Sequence, residues 1–115
     1  MAIVINRRDL GDGPTGYQFE GGEHGNTSVS FIYVDMTPGR GPRLHRHAYD
    51  EIFIILEGNA TFTVGDEVVE VSAGDVLVGP ANIPHKFVNS GPGPLRQVDI
   101  HITERIETEW LEDKQ

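Results

Sequence analysis

Short β-branched and aromatic runs, separated by glycines and prolines, are the feature that most limits how this chain can fold. Fourteen glycines and seven prolines punctuate these runs, of which Ser28–Met36 (SVSFIYVDM) is the strongest. Gly65 and Asp66 stand between Ala60–Val64 and Glu67–Val71, which is a good signal for a tight hairpin. Together these patterns predict an all-β sandwich or barrel.

The two ends of the chain carry shorter patterns. Ala2–Asn6 predicts a first strand, and Glu104–Glu112 predicts a short helix with Ile106 and Trp110 four apart on one face. The length of 115 residues fits one domain over 1–115, with a core at 28–102 and a tail at 103–115.

Composition and charge exclude several classes of protein. The formal net charge of −9 argues against nucleic acid or an anionic membrane as the main partner. Cysteine is absent, so neither a disulfide framework nor a thiolate metal site is expected. The start MAIVINRRDL fits neither a signal peptide nor a membrane span, and we therefore expect a soluble cytoplasmic protein.

Three histidines and one glutamate form the strongest candidate for a site. His45 and His47 are two apart, so on a strand their side chains share a face. Glu51 keeps the same parity, and a bend at residues 48–50 would fold it back towards them. His85 follows 34 positions after Glu51, at the start of another strand. Imidazole and carboxylate donors suit divalent transition metals, and this set predicts one metal site.

The spacing of these residues resembles the two motifs of the cupin family. The first motif is matched by Gly39–Gly58 (GRGPRLHRHAYDEIFIILEG) and the second by Gly74–Asn89 (GDVLVGPANIPHKFVN). One position departs from the family pattern, because Asn82 stands where the family has a glycine. Glycine serves a positive φ at that point, and asparagine is among the residues that best tolerate it.

The resemblance implies a single cupin domain, an all-β double-stranded β-helix or jelly-roll barrel, with one divalent transition metal per chain. The metal would be Fe, Mn, Ni, Co, Cu or Zn, because the ligand types do not decide among them. The family contains dioxygenases, decarboxylases, isomerases and epimerases as well as sensing and storage proteins. We expect a metalloenzyme of oxygenase or isomerase type acting on a small oxygenated molecule. The alternative is a non-catalytic cupin that binds or senses a small ligand.

Two strands raise questions that the sequence leaves open. Ile52–Leu56 is apolar on both faces, so its outer face needs cover from the N-terminal segment, the tail or a second subunit. Because paired barrels are common in the family, we expect a homodimer. In Leu95–Ile102 the even face is apolar, which favours its packing into the core and leaves His101 outside the site. If the odd face lines the barrel instead, Gln97, Asp99 and His101 become polar groups of the pocket.

The surroundings of the site give candidates for binding a substrate. Arg43 shares the parity of His45 and could bind an anion held on the metal, although the residue pattern slightly favours a solvated arginine at the rim. Aromatic residues supply candidate apolar walls, which are Tyr33, Phe53 and Phe87. Arginines cluster near this segment of an acidic chain, so the expected partner is a small molecule and the local charge favours an anion.

Overall fold

The chain folds into two antiparallel β-sheets, seen in a computed structural model that describes residues 1–112. A 3-10 turn at Arg7–Leu10 precedes the strands of this part of the chain. The strands are β1 (Gly16–Phe19), β2 (Ser30–Met36), β3 (His45–Arg46), β4 (Glu51–Glu57), β5 (Asn59–Val64), β6 (Glu67–Ser72), β7 (Val76–Gly79), β8 (His85–Asn89), β9 (Leu95–His101) and β10 (Glu109–Trp110).

The order of the strands shows how the chain alternates between the sheets. The first sheet has the order β1-β2-β9-β4-β7, and the second has the order β10-β3-β8-β5-β6. The chain therefore crosses from one sheet to the other after every strand except β1 and β5, which are followed by a neighbour in the same sheet. This architecture confirms the all-β prediction and is that of a jelly-roll barrel. Within residues 1–112, no helix has the length and apolar character needed to cross a membrane.

The core lies between the two sheets and is built from alternate residues of their strands. Phe53, Phe62 and Phe87 pack together, with ring centroids 4.8 Å apart for Phe53 and Phe62 and 5.1 Å apart for Phe62 and Phe87. Ile55 and Leu95 complete the buried centre. Because β4 buries Glu51, Phe53 and Ile55, its odd residues face the inside of the barrel.

The first sheet also carries apolar residues on its outer face. The cross-strand registers align ten of them in two rows, Phe19-Phe31-Ile100-Ile52-Val78 and Tyr17-Tyr33-Val98-Ile54-Val76. A charged group borders the rows, where Arg96 pairs with Asp35 at 3.3 Å and also with Glu57. We call the ten apolar residues the outer apolar face. Leu56 is not in the rows, because β4 bulges between Ile55 and Glu57.

The prediction of a strand at Ala2–Asn6 was wrong. The side chain of Asn6 instead accepts a hydrogen bond from the Arg8 amide at 3.1 Å and caps the 3-10 turn. Ile3 and Val4 remain exposed, because no neighbouring strand within residues 1–112 pairs with this segment and stabilises an extended conformation.

The prediction of a helix at Glu104–Glu112 was also wrong. The Thr103 hydroxyl accepts a hydrogen bond from the Arg105 amide, which competes with helical pairing at the proposed start. Further on, β10 pairs with β3, and Arg46 forms an ion pair with Glu109 at 3.0 Å. A strand edge available in the tertiary structure therefore outweighed the helical spacing of Ile106 and Trp110. Residues 113–115 of the predicted tail lie outside the described residues.

Candidate metal centre

The four predicted donors come from three strand segments that meet across the barrel. His45 lies directly opposite His85 on the neighbouring strands β3 and β8 of the second sheet. Glu51 begins β4 of the first sheet, and the bend before it returns the chain towards His47. One donor atom from each of the four residues lies within 4.8 Å of all the others, and all four residues are buried.

Backbone carbonyls orient the three imidazoles. In each ring the Nδ1 atom meets a carbonyl oxygen, so that Nδ1 carries the proton and Nε2 is left as the free donor. The pairs are His45 with Arg43 at 2.6 Å, His47 with Glu107 at 2.8 Å and His85 with Ile83 at 3.2 Å. This orientation is the one that metal-binding histidines adopt.

The distances at Glu51 fit a bound cation. Its Oε1 atom lies 3.1 Å from Nε2 of His47 and 3.0 Å from Nε2 of His85. Neighbouring donors around an octahedral ion, each about 2.1 Å from it, are about 3.0 Å apart. Nε2 of His47 is buried without a hydrogen-bond partner among the described residues. An orphaned buried nitrogen is costly in a metal-free protein, and a cation would satisfy it.

The charges of these residues also suit a cation. Burial opposes ionisation of Glu51, but its contacts with His101, His47 and His85 hold the pKa of this carboxyl well below its usual value. Burial, with the neighbouring imidazoles His85 and His47, lowers the pKa of His45 to about 4. For His47 burial acts in the same direction, but contacts with Glu51 and the Glu107 carbonyl raise its pKa. At neutral pH the site therefore offers an ionised carboxylate and a neutral His45.

The expectation that the even face of the last strand packs into the core was wrong. In β9 the odd residues Leu95, Gln97, Asp99 and His101 are buried, and the even residues belong to the outer side of the sheet. The register pairs His101 with Glu51, so the imidazole enters the site. A 2.7 Å hydrogen bond from Gln97 to Asp99 offsets part of the cost of burying this polar face. Burial, and then the charge of Glu51, raises the pKa of Asp99 well above its usual value.

A cavity of about 530 Å³ opens beside the donors. Three of the donors line it, namely His45, His47 and Glu51, together with Asp99 and His101. Much of the remaining wall is apolar and includes Ile32, Val34, Met36, Phe87, Ile106 and Trp110. The site is therefore the polar end of a largely apolar chamber.

Of the residues suggested for the surroundings of the site, Phe87, Asp99 and His101 line this chamber, whereas Arg43, Tyr33 and Phe53 lie elsewhere. Phe53 is core, and Tyr33 stacks on Tyr17 at 5.2 Å on the outer apolar face. Arg43 places its guanidinium 4.5 Å from the centre of the Trp110 ring and donates a hydrogen bond to the Glu112 carbonyl. It lines a separate cavity. The structure therefore gives Arg43 a structural partner in the tail and does not place it at the mouth of the chamber.

Two residues of the site were missed by reasoning from sequence. The Tyr49 hydroxyl lies 2.8 Å from Nδ1 of His101 and 3.2 Å from Nδ1 of His47. Its odd position between His47 and Glu51 was a usable signal, because it shares their parity. The Trp110 ring packs against His45 with centroids 5.0 Å apart. No local pattern could have placed Trp110 there, since the contact depends on the pairing of β10 with β3.

Known proteins resemble the chain over this same region. The cupin domain model matches residues 32–101, which is more than half of the chain. The HTH-type transcriptional regulator PuuR of Escherichia coli (strain K12) is 30% identical over 104 residues, covering 86% of this chain and 56% of the regulator. Acireductone dioxygenase of Alcanivorax borkumensis is 44% identical over 54 residues, covering 44% of this chain and 29% of the enzyme.

Solved structures give the same architecture. The oxalate decarboxylase of Lactobacillus farciminis, in its formate complex, superposes with a TM-score of 0.81 at 22% identity. The match covers 93% of this chain and 35% of the decarboxylase chain. This chain spans about half the length of the curated relatives that it matches. The match of the domain model over residues 32–101, with the jelly-roll architecture, shows that the chain belongs to the cupin family.

Proposed function

We propose that this cupin is a divalent-metal enzyme that acts on a small oxygenated organic molecule, by oxygenation or isomerisation. One ion per chain would be held by His45, His47, Glu51 and His85. The observation that carries the proposal is the chamber beside these donors, which also contains Asp99 and His101. Chemistry usually needs a group that transfers a proton in addition to the metal ligands, and these two residues supply candidates.

The metal would supply Lewis-acid or redox chemistry at the polar end of the chamber. The protein supplies the rest. The carbonyl contacts at Nδ1 fix the direction of each imidazole, and the apolar walls limit the access of water to the polar end. Asp99 sits within this chamber, and its raised pKa favours the protonated form, so it can donate a hydrogen bond or a proton.

The lining of the chamber indicates what kind of molecule would fit. Among the described residues that line it there is no lysine or arginine, whereas Asp12, Glu51 and Asp99 are acidic. Apart from the end that would meet the metal, the ligand is therefore an uncharged and largely apolar molecule. This replaces the anion expected from Arg43. A volume of about 530 Å³ lies in the range of small-molecule sites.

A sensing role is the second candidate. It is supported by the likeness to a transcriptional regulator over 86% of this chain, although the match to a dioxygenase covers 91%. A dioxygenase named for quercetin and an auxin-binding protein are also among the relatives, so likeness alone does not separate catalysis from binding.

Metal binding is tested first by elemental analysis of purified protein. We expect about one divalent transition-metal ion per wild-type chain, and His47→Ala should reduce the content sharply because it removes one of four donors. His24→Ala is a matched control, because His24 stacks on Phe19 away from the site. Equal metal content in wild type and His47→Ala would rule out the proposed ligand set.

The kind of ligand is tested by thermal shift of the metal-loaded protein. Catechol-like compounds should raise the melting temperature by mass action, and malonate should have a smaller effect. Ile106→Glu places a charge in the wall of the chamber and should abolish the catechol shift, whereas Ile102→Glu, at an exposed position outside the wall, should not. If Arg43→Ala abolishes the rise in melting temperature caused by these compounds, the anion hypothesis is restored instead.

Turnover separates the enzyme from the sensor. Compounds that raise the melting temperature are incubated under air with protein loaded with Fe(II), Mn(II) or Ni(II), and products are followed by mass spectrometry. Product formation that is lost in Asp99→Asn, with metal content unchanged, supports the enzyme. Binding without any turnover supports the sensor.

A further inference from the structure

A fourth imidazole reaches the candidate metal centre from β9. His101 is buried to 1% relative exposure, and its Nε2 atom lies 3.0 Å from Oε2 of Glu51. The other oxygen of the same carboxylate, Oε1, faces His47 and His85. The two oxygens of Glu51 therefore meet different neighbours. His101 meets Oε2, and its ring lies 4.8 Å from the His47 ring, centroid to centroid.

The position of His101 differs from that of the four donors. Its atoms are not part of the group whose donor atoms lie within 4.8 Å of one another. Its Nδ1 atom meets the hydroxyl of Tyr49 at 2.8 Å, whereas the three predicted ligands meet backbone carbonyls. A hydroxyl can donate to Nδ1, which a carbonyl cannot do. The single hydroxyl proton of Tyr49 has a second acceptor in the Glu107 carbonyl at 3.3 Å, and the shorter 2.8 Å contact favours donation to His101. With Tyr49 donating to Nδ1, the proton of His101 is on Nε2 and faces Glu51.

The Tyr49 hydroxyl is itself held in place by the tail. It accepts a hydrogen bond from the Glu107 amide at 3.3 Å, and the Tyr49 ring stacks on His47 with centroids 5.0 Å apart. Nε2 of His101 lies 3.0 Å from Oε2 of Glu51 and has no well-aligned hydrogen-bond partner among the described residues. A buried N–H needs an acceptor, and Oε2 is the one the fold brings to it.

We infer that His101 is a positioning residue of the metal centre, which holds Oε2 of Glu51 so that Oε1 alone is presented to the metal. Tyr49 fixes the tautomer of His101 through Nδ1. The inference rests on the proposed metal site and adds a residue that acts through Glu51 and does not itself bind the ion. Groups that orient metal ligands in this way typically contribute 10–100-fold to metal affinity.

The test measures metal affinity and counts ligands in the same set of variants. Affinity for Co(II) is obtained by competition with a chelator, and pulsed electron paramagnetic resonance of Cu(II)-loaded protein counts the bound imidazoles. His101→Leu should weaken Co(II) binding about 10–100-fold. His101→Gln keeps an N–H donor and should recover most of the affinity. The imidazole count should be three in wild type and in both variants, and His24→Ala should behave as wild type.

Tyr49→Phe keeps the ring but removes the hydroxyl, and should give a smaller loss than His101→Leu. Tyr49 is half-exposed, so this variant remains informative if His101→Leu does not fold.

Three results would overturn the inference. Equal Co(II) affinity in wild type, His101→Leu and Tyr49→Phe would show that His101 does not position Glu51. An imidazole count that falls from four to three in His101→Leu would make His101 a direct ligand. Wild-type protein that binds neither Co(II) nor Cu(II) would refute the metal site itself, and the inference with it.

Discussion

Asp99 is the residue whose environment differs most from what its chemistry prefers. Its carboxyl is buried on β9 and accepts a hydrogen bond from the Gln97 side chain at 2.7 Å. Burial, followed by repulsion from Glu51, raises its pKa well above the usual value. The folded protein therefore keeps a proton on Asp99 at pH values where the unfolded chain has lost it.

The first prediction concerns the pH dependence of stability at this residue. Because the folded state binds the extra proton, wild-type stability should fall as the pH rises from the ordinary aspartate pKa of about 4 through the folded pKa. Asp99→Asn has no proton to lose. In metal-free protein, the melting temperature of Asp99→Asn minus that of wild type should therefore grow with pH. Asp66→Asn, in the exposed hairpin, is the control. A difference that stays constant, or grows towards acid, would contradict the raised pKa.

The second prediction concerns Asn82. Its φ of 67° lies in the left-handed region, which confirms the conformation expected from its place in the second motif. The backbone N–H of Asn82 also donates a hydrogen bond to the His47 carbonyl at 2.7 Å, so this turn helps to hold the His47 backbone in place. Asn82→Val should lower the free energy of unfolding by about 1–2 kcal/mol more than Asn82→Gly, because branched side chains tolerate positive φ poorly. Urea denaturation of the two variants measures this, and equal stabilities would show that the strain is absent.

At the scale of the elements, the tail contacts two of the candidate metal ligands. β10 pairs with β3, and this pairing brings the Glu107 carbonyl to 2.8 Å from Nδ1 of His47. The same pairing places Trp110 against His45. A segment more than 50 residues away in sequence therefore orients two of the candidate ligands.

The third prediction concerns a truncated chain that lacks this segment. A chain that ends at Glu104 keeps β1 to β9 but loses the carbonyl that orients His47, so its metal affinity should fall about 10–100-fold. A chain that ends at Glu112 keeps β10 and is the control. Chelator competition measures both, and circular dichroism establishes that the shorter chain is folded. Unchanged affinity in the shorter chain would show that His47 needs no orientation from the tail.

At the scale of the whole molecule, the outer apolar face suggests how two copies associate. Its two rows cross all five strands of the first sheet, and Val76 and Val78 are 62% and 56% exposed at one edge. Covering each such side chain contributes about 1.5–3 kcal/mol when burial is complete. A second copy offers an identical face, and the homodimer expected from β4 stays a prediction that this geometry supports.

The fourth prediction is the mass in solution. Light scattering at micromolar concentration should give about twice the chain mass of 12.7 kDa. Ile54→Glu places a charge in the centre of the outer apolar face and should reduce the mass to that of one chain. Val68→Glu, at an exposed position in the second sheet, should leave the dimer intact. A wild-type mass of 12.7 kDa would refute the dimer.

Local patterns were enough to predict much of the fold and the group of candidate donors. The hairpin at Gly65 and Asp66 depends on neighbours within a few residues, whereas the positive φ of Asn82 was implied by the resemblance to the second cupin motif. The spacing of His45, His47, Glu51 and His85, with the resemblance to the two cupin motifs, predicted which side chains would meet. Three of them begin a strand, and His47 directly follows β3.

Only the tertiary structure decided which face of β9 is buried and where the tail lies. The even face of β9 is the more apolar, yet it belongs to the outer apolar face, because pairing with β2 and β4 fixes the register. Glu104–Glu112 has helical spacing, but Glu109–Trp110 pairs as a strand with the edge of β3. This pairing also brings the Trp110 ring into contact with the Arg43 guanidinium. These outcomes depend on hydrogen bonds between segments far apart in sequence, whose free energy exceeds the small preferences that a local pattern expresses.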